Sequence, residues 1–368
     1  MKFTVEAGKF GSALKFVQGR AKGVAAVIPI LKSVLVTAGH AEVSVMGNGL
    51  DSSSLASLEA EVATPGSWAI PADPLARIVG GMLRSSLVTV EYDAKSNQVT
   101  VKSGRSRYTI PVMQAADFPD ALSAQDGVSF KVAAQDLEQL FGRPAGVVDL
   151  TRVPLSGVYV HDESGVLASC ATDGHSLRRF SSDVDAKAFA GAIVPNSALA
   201  EIIKTGPGTL SFTGRTVEIV SGTRSYCSKL VDAKFPDYRR VVPEPHSNCA
   251  TVDRQAMIES LSRLNSIEGF SECSTIDVTF GSDEINITIT GNANGSEVIE
   301  CETAGTEGFF CLQTRNLLDA CKAFKGDKLG ISARDELSAI RIVDPSEPSA
   351  IGVEMPCRSK NQRAQAAA

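Results

Sequence analysis

Phe3-Thr4-Val5-Glu6-Ala7-Gly8-Lys9-Phe10, Phe130-Lys131-Val132-Ala133-Ala134-Gln135-Asp136-Leu137 and Ala250-Thr251-Val252-Asp253-Arg254-Gln255-Ala256-Met257 are versions of one pattern. Val5, Val132 and Val252 align, followed in register by Phe10, Leu137 and Met257, and then by Leu14, Phe141 and Leu261. Each stretch reads as a short strand with a β-branched residue that runs into a helix with apolar positions at helical spacing.

Outward from these segments the repetition continues. Ile70-Pro71-Ala72-Asp73-Pro74-Leu75, Val194-Pro195-Asn196-Ser197-Ala198-Leu199 and Leu312-Gln313-Thr314-Arg315-Asn316-Leu317 share two apolar positions. Asp73, Asn196 or Ser197, and Thr314 are the expected N-caps of a second helix in each unit. Two units close alike: Ser103-Gly104-Arg105-Ser106-Arg107-Tyr108 leads to Phe118-Pro119-Asp120, and Ser221-Gly222-Thr223-Arg224-Ser225-Tyr226 leads to Phe235-Pro236-Asp237. The Ser-Gly pairs predict hairpin turns, and the proline marks where the chain leaves the sheet. Ordered landmarks recurring three times predict an α+β chain of three like-folded domains. The expected bounds are 1–124, 125–247 and 248–358, with a flexible polar tail over 359–368. Alternating strands such as Val43-Ser44-Val45 and Ile285-Asn286-Ile287-Thr288-Ile289 indicate antiparallel sheets with one wet face.

The 368 residues, 43% hydrophobic and 21% charged, match a globular chain of more than one domain. A net charge of −6 argues against simple electrostatic coating of nucleic acid. The eight cysteines include no Cys-x-x-Cys pair, so no metal site or disulfide framework is expected. A start with Glu6 and no apolar run is not a secretory signal, and a reducing cytoplasm is the expected compartment. Asp173-Gly174-His175 reads as a turn rather than a base with its orienter, because neighbours in a tight turn rarely face each other. No Gly-x-Ser-x-Gly elbow is present, so no catalytic residue and no enzyme activity are expected. Cys301, Cys311 and Cys321 read as small buried side chains.

Four motifs in order carry a resemblance: Ser103 to Arg107, Ala171-Thr172-Asp173-Gly174-His175, Phe235-Pro236-Asp237-Tyr238-Arg239-Arg240-Val241-Val242-Pro243, and Met355-Pro356-Cys357-Arg358. With the threefold repeat they make the chain resemble the bacterial DNA polymerase III β subunit family, the sliding clamps, over residues 1–358. The resemblance implies repeated DNA-clamp domains, each with two helices and antiparallel sheets. It also implies a head-to-tail homodimer closing into a pseudo-six-fold ring around duplex DNA, a processivity factor without cofactor or metal. Cys357 stands where at least one member of the family has a bulkier methionine.

The same resemblance assigns roles. Arg152, Leu155, Thr172, Gly174, His175, Leu177, Pro243, Met355, Pro356, Cys357 and Arg358 match a pocket for short peptides. Its implied partners are the DNA polymerase III catalytic subunit, the clamp loader, and other polymerases and repair proteins with clamp-binding peptides. Leucine, methionine and proline walls suit a peptide with Leu or Phe anchors. Arg20, Lys22, Arg77, Arg84, Arg105, Lys204 and Lys322 are the expected DNA-lining residues, a mildly basic lining inside an acidic shell. Tyr108, Ile110 and Ile267 are the expected dimer seam. The competing reading is a monomeric three-domain scaffold that binds peptides or ligands without encircling DNA, with a catalytic variant through His175.

Overall fold

The computed structural model describes residues 1–19, 28–124, 126–267, 275–290 and 294–358. The chain divides into two units: Met1–Ala134 with Ala200–Leu230, and Gln135–Leu199 with the residues from Val231 onward.

In the first unit, strand Lys2–Glu6 runs directly into helix α1 (Ala7–Val17), and strand Gly66–Pro71 into α2 (Ala72–Gly80). The two helices pack together. Phe3, Val5, Phe10, Leu14, Leu75 and Val79 are buried in one cluster with Val88, Val90, Val99 and Val101 of the neighbouring strands. The aligned apolar positions are therefore the core of this domain, as their spacing predicts. Hairpin Gln98–Ser103/Ser106–Pro111 turns at Gly104, and hairpin Thr216–Ser221/Arg224–Lys229 turns at Gly222. Both glycines have φ +56°, a conformation that costs a residue with a Cβ.

A nine-stranded antiparallel sheet crosses a repeat boundary here. Strand Ser52–Glu59 of the first repeat pairs with Arg224–Lys229 of the second, with Ala56 opposite Arg224 and Ser52 opposite Ser228. The expected edge of one domain is thus covered by the next. Strand Ser106–Pro111 is the outer strand of a separate five-stranded sheet.

The second unit holds a twelve-stranded sheet with the same device. Strand Ser176–Asp185 pairs with Glu347–Glu354, so that Leu177 faces Val353. A buried ion pair reinforces this seam. Arg178 is bonded to Glu354, and the Ser176 hydroxyl donates to the other carboxylate oxygen at 2.6 Å. Helices α5 (Arg254–Ile267) and α6 (Thr314–Ala323) pack together over a core containing Val252, Met257, Leu261, Leu317 and Phe324. Helix α4 (Asn196–Thr205) precedes them in the chain, and its residues are divided between the two units at Leu199 and Ala200.

Two local expectations fail. The helix expected after Val132 is one turn of α-helix, α3 (Ala134–Leu137), continued as a π turn over Glu138–Gly142. Pro144 lacks an N–H and cannot extend the α-helix. The chain is held instead by Arg143, which is buried, ion-paired to Glu347 at 2.7 Å and bonded to the Ala323 carbonyl at 2.7 Å. Its guanidinium also covers the Phe180 ring at 3.9 Å. The expected caps Asp73 and Thr314 lie inside their helices, where Pro71 and Gln313 hold the cap positions without side-chain bonds. Strand runs into helix with no intervening turn, which leaves no place for a capping side chain.

Candidate functional site

The hairpin joining strands Val166–Thr172 and Ser176–Asp185 is built by short polar side chains. Asp173 Oδ1 accepts the backbone amides of His175 (2.8 Å) and Ser176 (2.7 Å), while Thr172 Oγ1 donates to the Ser176 carbonyl (2.7 Å). Gly174, at φ +88°, completes the reversal. A Cβ there would lie 3.0 Å from the Arg152 guanidinium. Arg152 packs on this turn, bonding the Asp173 carbonyl and, through Nε, Asp149 at 2.6 Å. Bonds from Thr151 and Arg152 hold the Asp149 carboxyl at about 2. The Asp173 carboxylate is therefore spent on backbone amides, as a turn requires.

Strand pairing brings the C-terminal motif to the same place. The Met355 amide donates to the His175 carbonyl at 2.8 Å, one residue beyond the Ser176–Glu354 pair. Beneath lie Leu155, Cys170, Leu177, Phe235, Tyr238 and Val353, one buried cluster with Val242 against it. Pro243 is tied in by its carbonyl, which accepts from Arg341 at 2.9 Å. Leu155 and Leu177 are buried, Pro243 and Pro356 half-buried, and His175, Arg152, Arg358 and Met355 exposed. Met355 shows 45% of its surface, a large apolar side chain beside an apolar floor.

A polar network under this floor escapes the motif reading. Phe235, Tyr159 and His161 form a continuous ring stack, with centroids 5.0 and 4.7 Å apart. His161 Nε2 meets the Tyr238 hydroxyl at 2.9 Å, and that hydroxyl donates to Glu163 at 3.0 Å. Arg179 adds a bond to Glu163 at 2.8 Å. Burial alone would raise the Glu163 pKa, but nearby His161, 3.7 Å away, and the bonds from Arg179 and Tyr238 outweigh it and hold the carboxyl at about 2. Burial pushes the Tyr238 hydroxyl above its ordinary range, which keeps it protonated and donating. The signal was present in Tyr159-Val160-His161-Asp162-Glu163, whose alternate residues share one face of a strand.

Three family models cover nearly the whole chain. DNA polymerase III beta subunit N-terminal, central and C-terminal domains match residues 1–123, 145–237 and 239–358. The chain belongs to the DNA polymerase III beta subunit family. A beta sliding clamp of Caulobacter vibrioides (strain NA1000 / CB15N) is 28% identical over 375 residues, covering 97% of this chain and 100% of the relative. That of Escherichia coli (strain K12) is 25% identical with the same coverage. Among solved structures, DNA polymerase III subunit beta from Pseudomonas aeruginosa superposes with a TM-score of 0.91 at 25% identity, over 98% of this chain and 100% of that one. Caulobacter crescentus pol III beta gives 0.88 at 27%, with the same coverage. The chain is thus a DNA polymerase processivity factor made of three beta-clamp domains, and DNA and polymerase are its partners.

For a sliding clamp, the remaining expected contacts fall as follows. Arg77 is exposed on α2 and Arg84 just beyond it, both lining one groove of about 690 Å³ between α1 and α2; Lys15 of α1, outside that expected set, lines it too. Arg105 is exposed at the hairpin tip and Lys322 on α6. Lys204, on α4, is exposed, bonded to Glu201 at 3.4 Å and 5.7 Å from the Phe16 ring. Arg20 and Lys22 lie outside the described residues, as does the Ile267 side chain at the end of α5. Tyr108 and Ile110 share a face of strand Ser106–Pro111, but Ile110 is buried in its own domain and only Tyr108, 44% exposed, reaches the surface. The 359–368 segment lies outside the described residues.

Proposed function

We propose that this clamp captures its partners at the floor made by Leu155 and Leu177, between the 172–175 turn and Met355-Pro356-Cys357-Arg358. The observation that carries this reading is the Met355–His175 bond, which sets two distant motifs side by side over one apolar cluster. Polymerase III catalytic subunit, clamp loader, and other polymerases and repair proteins would present short peptides with Leu or Phe anchors. Burying one anchor is worth about 1.5–3 kcal/mol, so a few of them suit an exchangeable, micromolar tether. His175, Thr172, Gly174, Arg152, Pro243 and Arg358 supply the rim.

In this reading two chains pair head to tail through the open edge at Ser106–Pro111, with Tyr108 at the seam. The paired chains encircle duplex DNA in the cytoplasm. The basic residues of the helices and of the Arg105 hairpin contact phosphates without reading bases. Domain bounds of 1–124, 125–247 and 248–358 serve that repeat. The protein needs no catalysis for this task, and the carboxylate of Asp173 is committed to the turn. Fluorescence anisotropy with a Leu/Phe-anchored peptide tests the pocket. The double variant Leu177→Ala/Met355→Ala is expected to abolish binding and polymerase stimulation while sparing the fold. Unchanged affinity would move the pocket elsewhere.

A further inference from the structure

Cys311 lies on strand Gly308–Gln313 and Cys357 follows strand Glu347–Glu354, yet their sulfurs are in contact at 3.4 Å. Their backbones are bonded too, the Cys357 amide donating to the Cys311 carbonyl at 2.8 Å. Both are thiols in this structure. We propose that Cys311 and Cys357 form a reversible disulfide that closes the C-terminal wall of the peptide pocket. The second part of that statement rests on the pocket reading above; the thiol pair does not.

The geometry needs little change. The 2.8 Å backbone bond holds the two residues side by side, and a disulfide accepts Cα separations of about 4.4–6.8 Å. The sulfurs must approach from 3.4 Å to about 2.05 Å, within reach of side-chain rotation. The two thiols are also unequal. Cys311 is buried, whereas Cys357 is half-buried and open to a small oxidant. The sulfur contact with Cys357, together with burial and the nearby Asp277, pushes the Cys311 pKa well up, so this thiol keeps its proton.

The oxidant that fits is a hydroperoxide. Ionised Cys357 attacks one peroxide oxygen, the O–O bond breaks, and the departing oxygen takes up a proton and leaves as water. The resulting sulfenic acid is then displaced by the Cys311 sulfur, whose proton leaves with the hydroxyl as a second water. Two thiols and one hydrogen peroxide give one disulfide and two waters. Thiol–disulfide exchange with a dithiol reverses the step.

The consequence follows from where Cys357 sits. In the thiol form the Met355 amide is bonded to the His175 carbonyl and the Cys357 amide to the Cys311 carbonyl. The exposed Met355 can shift to admit an anchor, a use to which flexible thioethers are suited. A covalent tie at Cys357 removes that freedom, so the oxidised protein should bind peptide more weakly.

The full chain is titrated with hydrogen peroxide, digested without reduction and analysed by mass spectrometry, and the same samples are titrated with a labelled Leu/Phe-anchored peptide. The expected result is a Cys311–Cys357 linked fragment lacking two hydrogens. Peptide affinity should fall by about fivefold and recover with dithiothreitol. Cys357→Ser should bind peptide equally before and after peroxide. Absence of the linked fragment, with Cys357 carried instead to sulfinic acid, overturns the proposal. A linked fragment with unchanged affinity overturns the switch. If the fragment forms but the thiol form binds no peptide, the pocket reading is what has failed.

Discussion

Glu163 illustrates what individual residues contribute. It touches no proposed ligand, yet it collects bonds from Tyr238 and Arg179 beneath the pocket floor, with His161 close by at 3.7 Å. Its pKa lies at about 2 against an ordinary 4.5, so its contribution is complete above 4.5 and is lost as pH falls through about 2. Hydrogen bonds to a charged group are worth about 1.5–3 kcal/mol, and Glu163→Gln should cost up to that amount at neutral pH. Urea denaturation of both proteins should show the gap closing as pH drops towards 2. A gap independent of pH would mean that the carboxylate charge contributes nothing. The sequence made the turn chemistry of Asp173 and Gly174 readable because both act locally. The Glu163 network was not read, since Tyr238 meets it across 75 residues of chain.

Strands and helices were legible where one pattern recurred. Val5, Val132 and Val252 each lie within one residue of the end of a strand that leads into a helix, and their burial follows from alternation. The same alignment misled at Glu138–Gly142, where Gly142 and Pro144 overrode the helical spacing shared with the other repeats. Which strands pair between repeats was not legible. Alternation says which face is buried and not which partner lies opposite, so Leu177 opposite Val353 had to be observed. The edge strand Ser106–Pro111 carries a consequence at this scale. Its residues are exposed apart from Ile110, leaving backbone groups and Tyr108 for a second chain. Tyr108→Glu should yield monomers with the fold intact, because burying an unpaired charge costs several kcal/mol. Sedimentation showing unaltered dimers would place the seam on another strand.

For the whole molecule, the nine- and twelve-stranded sheets account for how repeats are joined. Each crosses a repeat boundary by direct strand pairing, at Ser52–Glu59 with Arg224–Lys229 and at Ser176–Asp185 with Glu347–Glu354. Such pairing ties neighbouring repeats by backbone hydrogen bonds in addition to the connecting chain, which suits the proposed ring. The proposed ring also accounts for a chain of net charge −6 working on DNA. The link is topological, so phosphate contacts need only be weak enough to slide. The most direct measurement follows retention of the loaded protein on a nicked circular duplex, before and after the circle is cut once. The account predicts stable retention on the circle and rapid loss from the linear product at the same salt. Equal retention on both forms would show binding by contact alone and contradict encirclement.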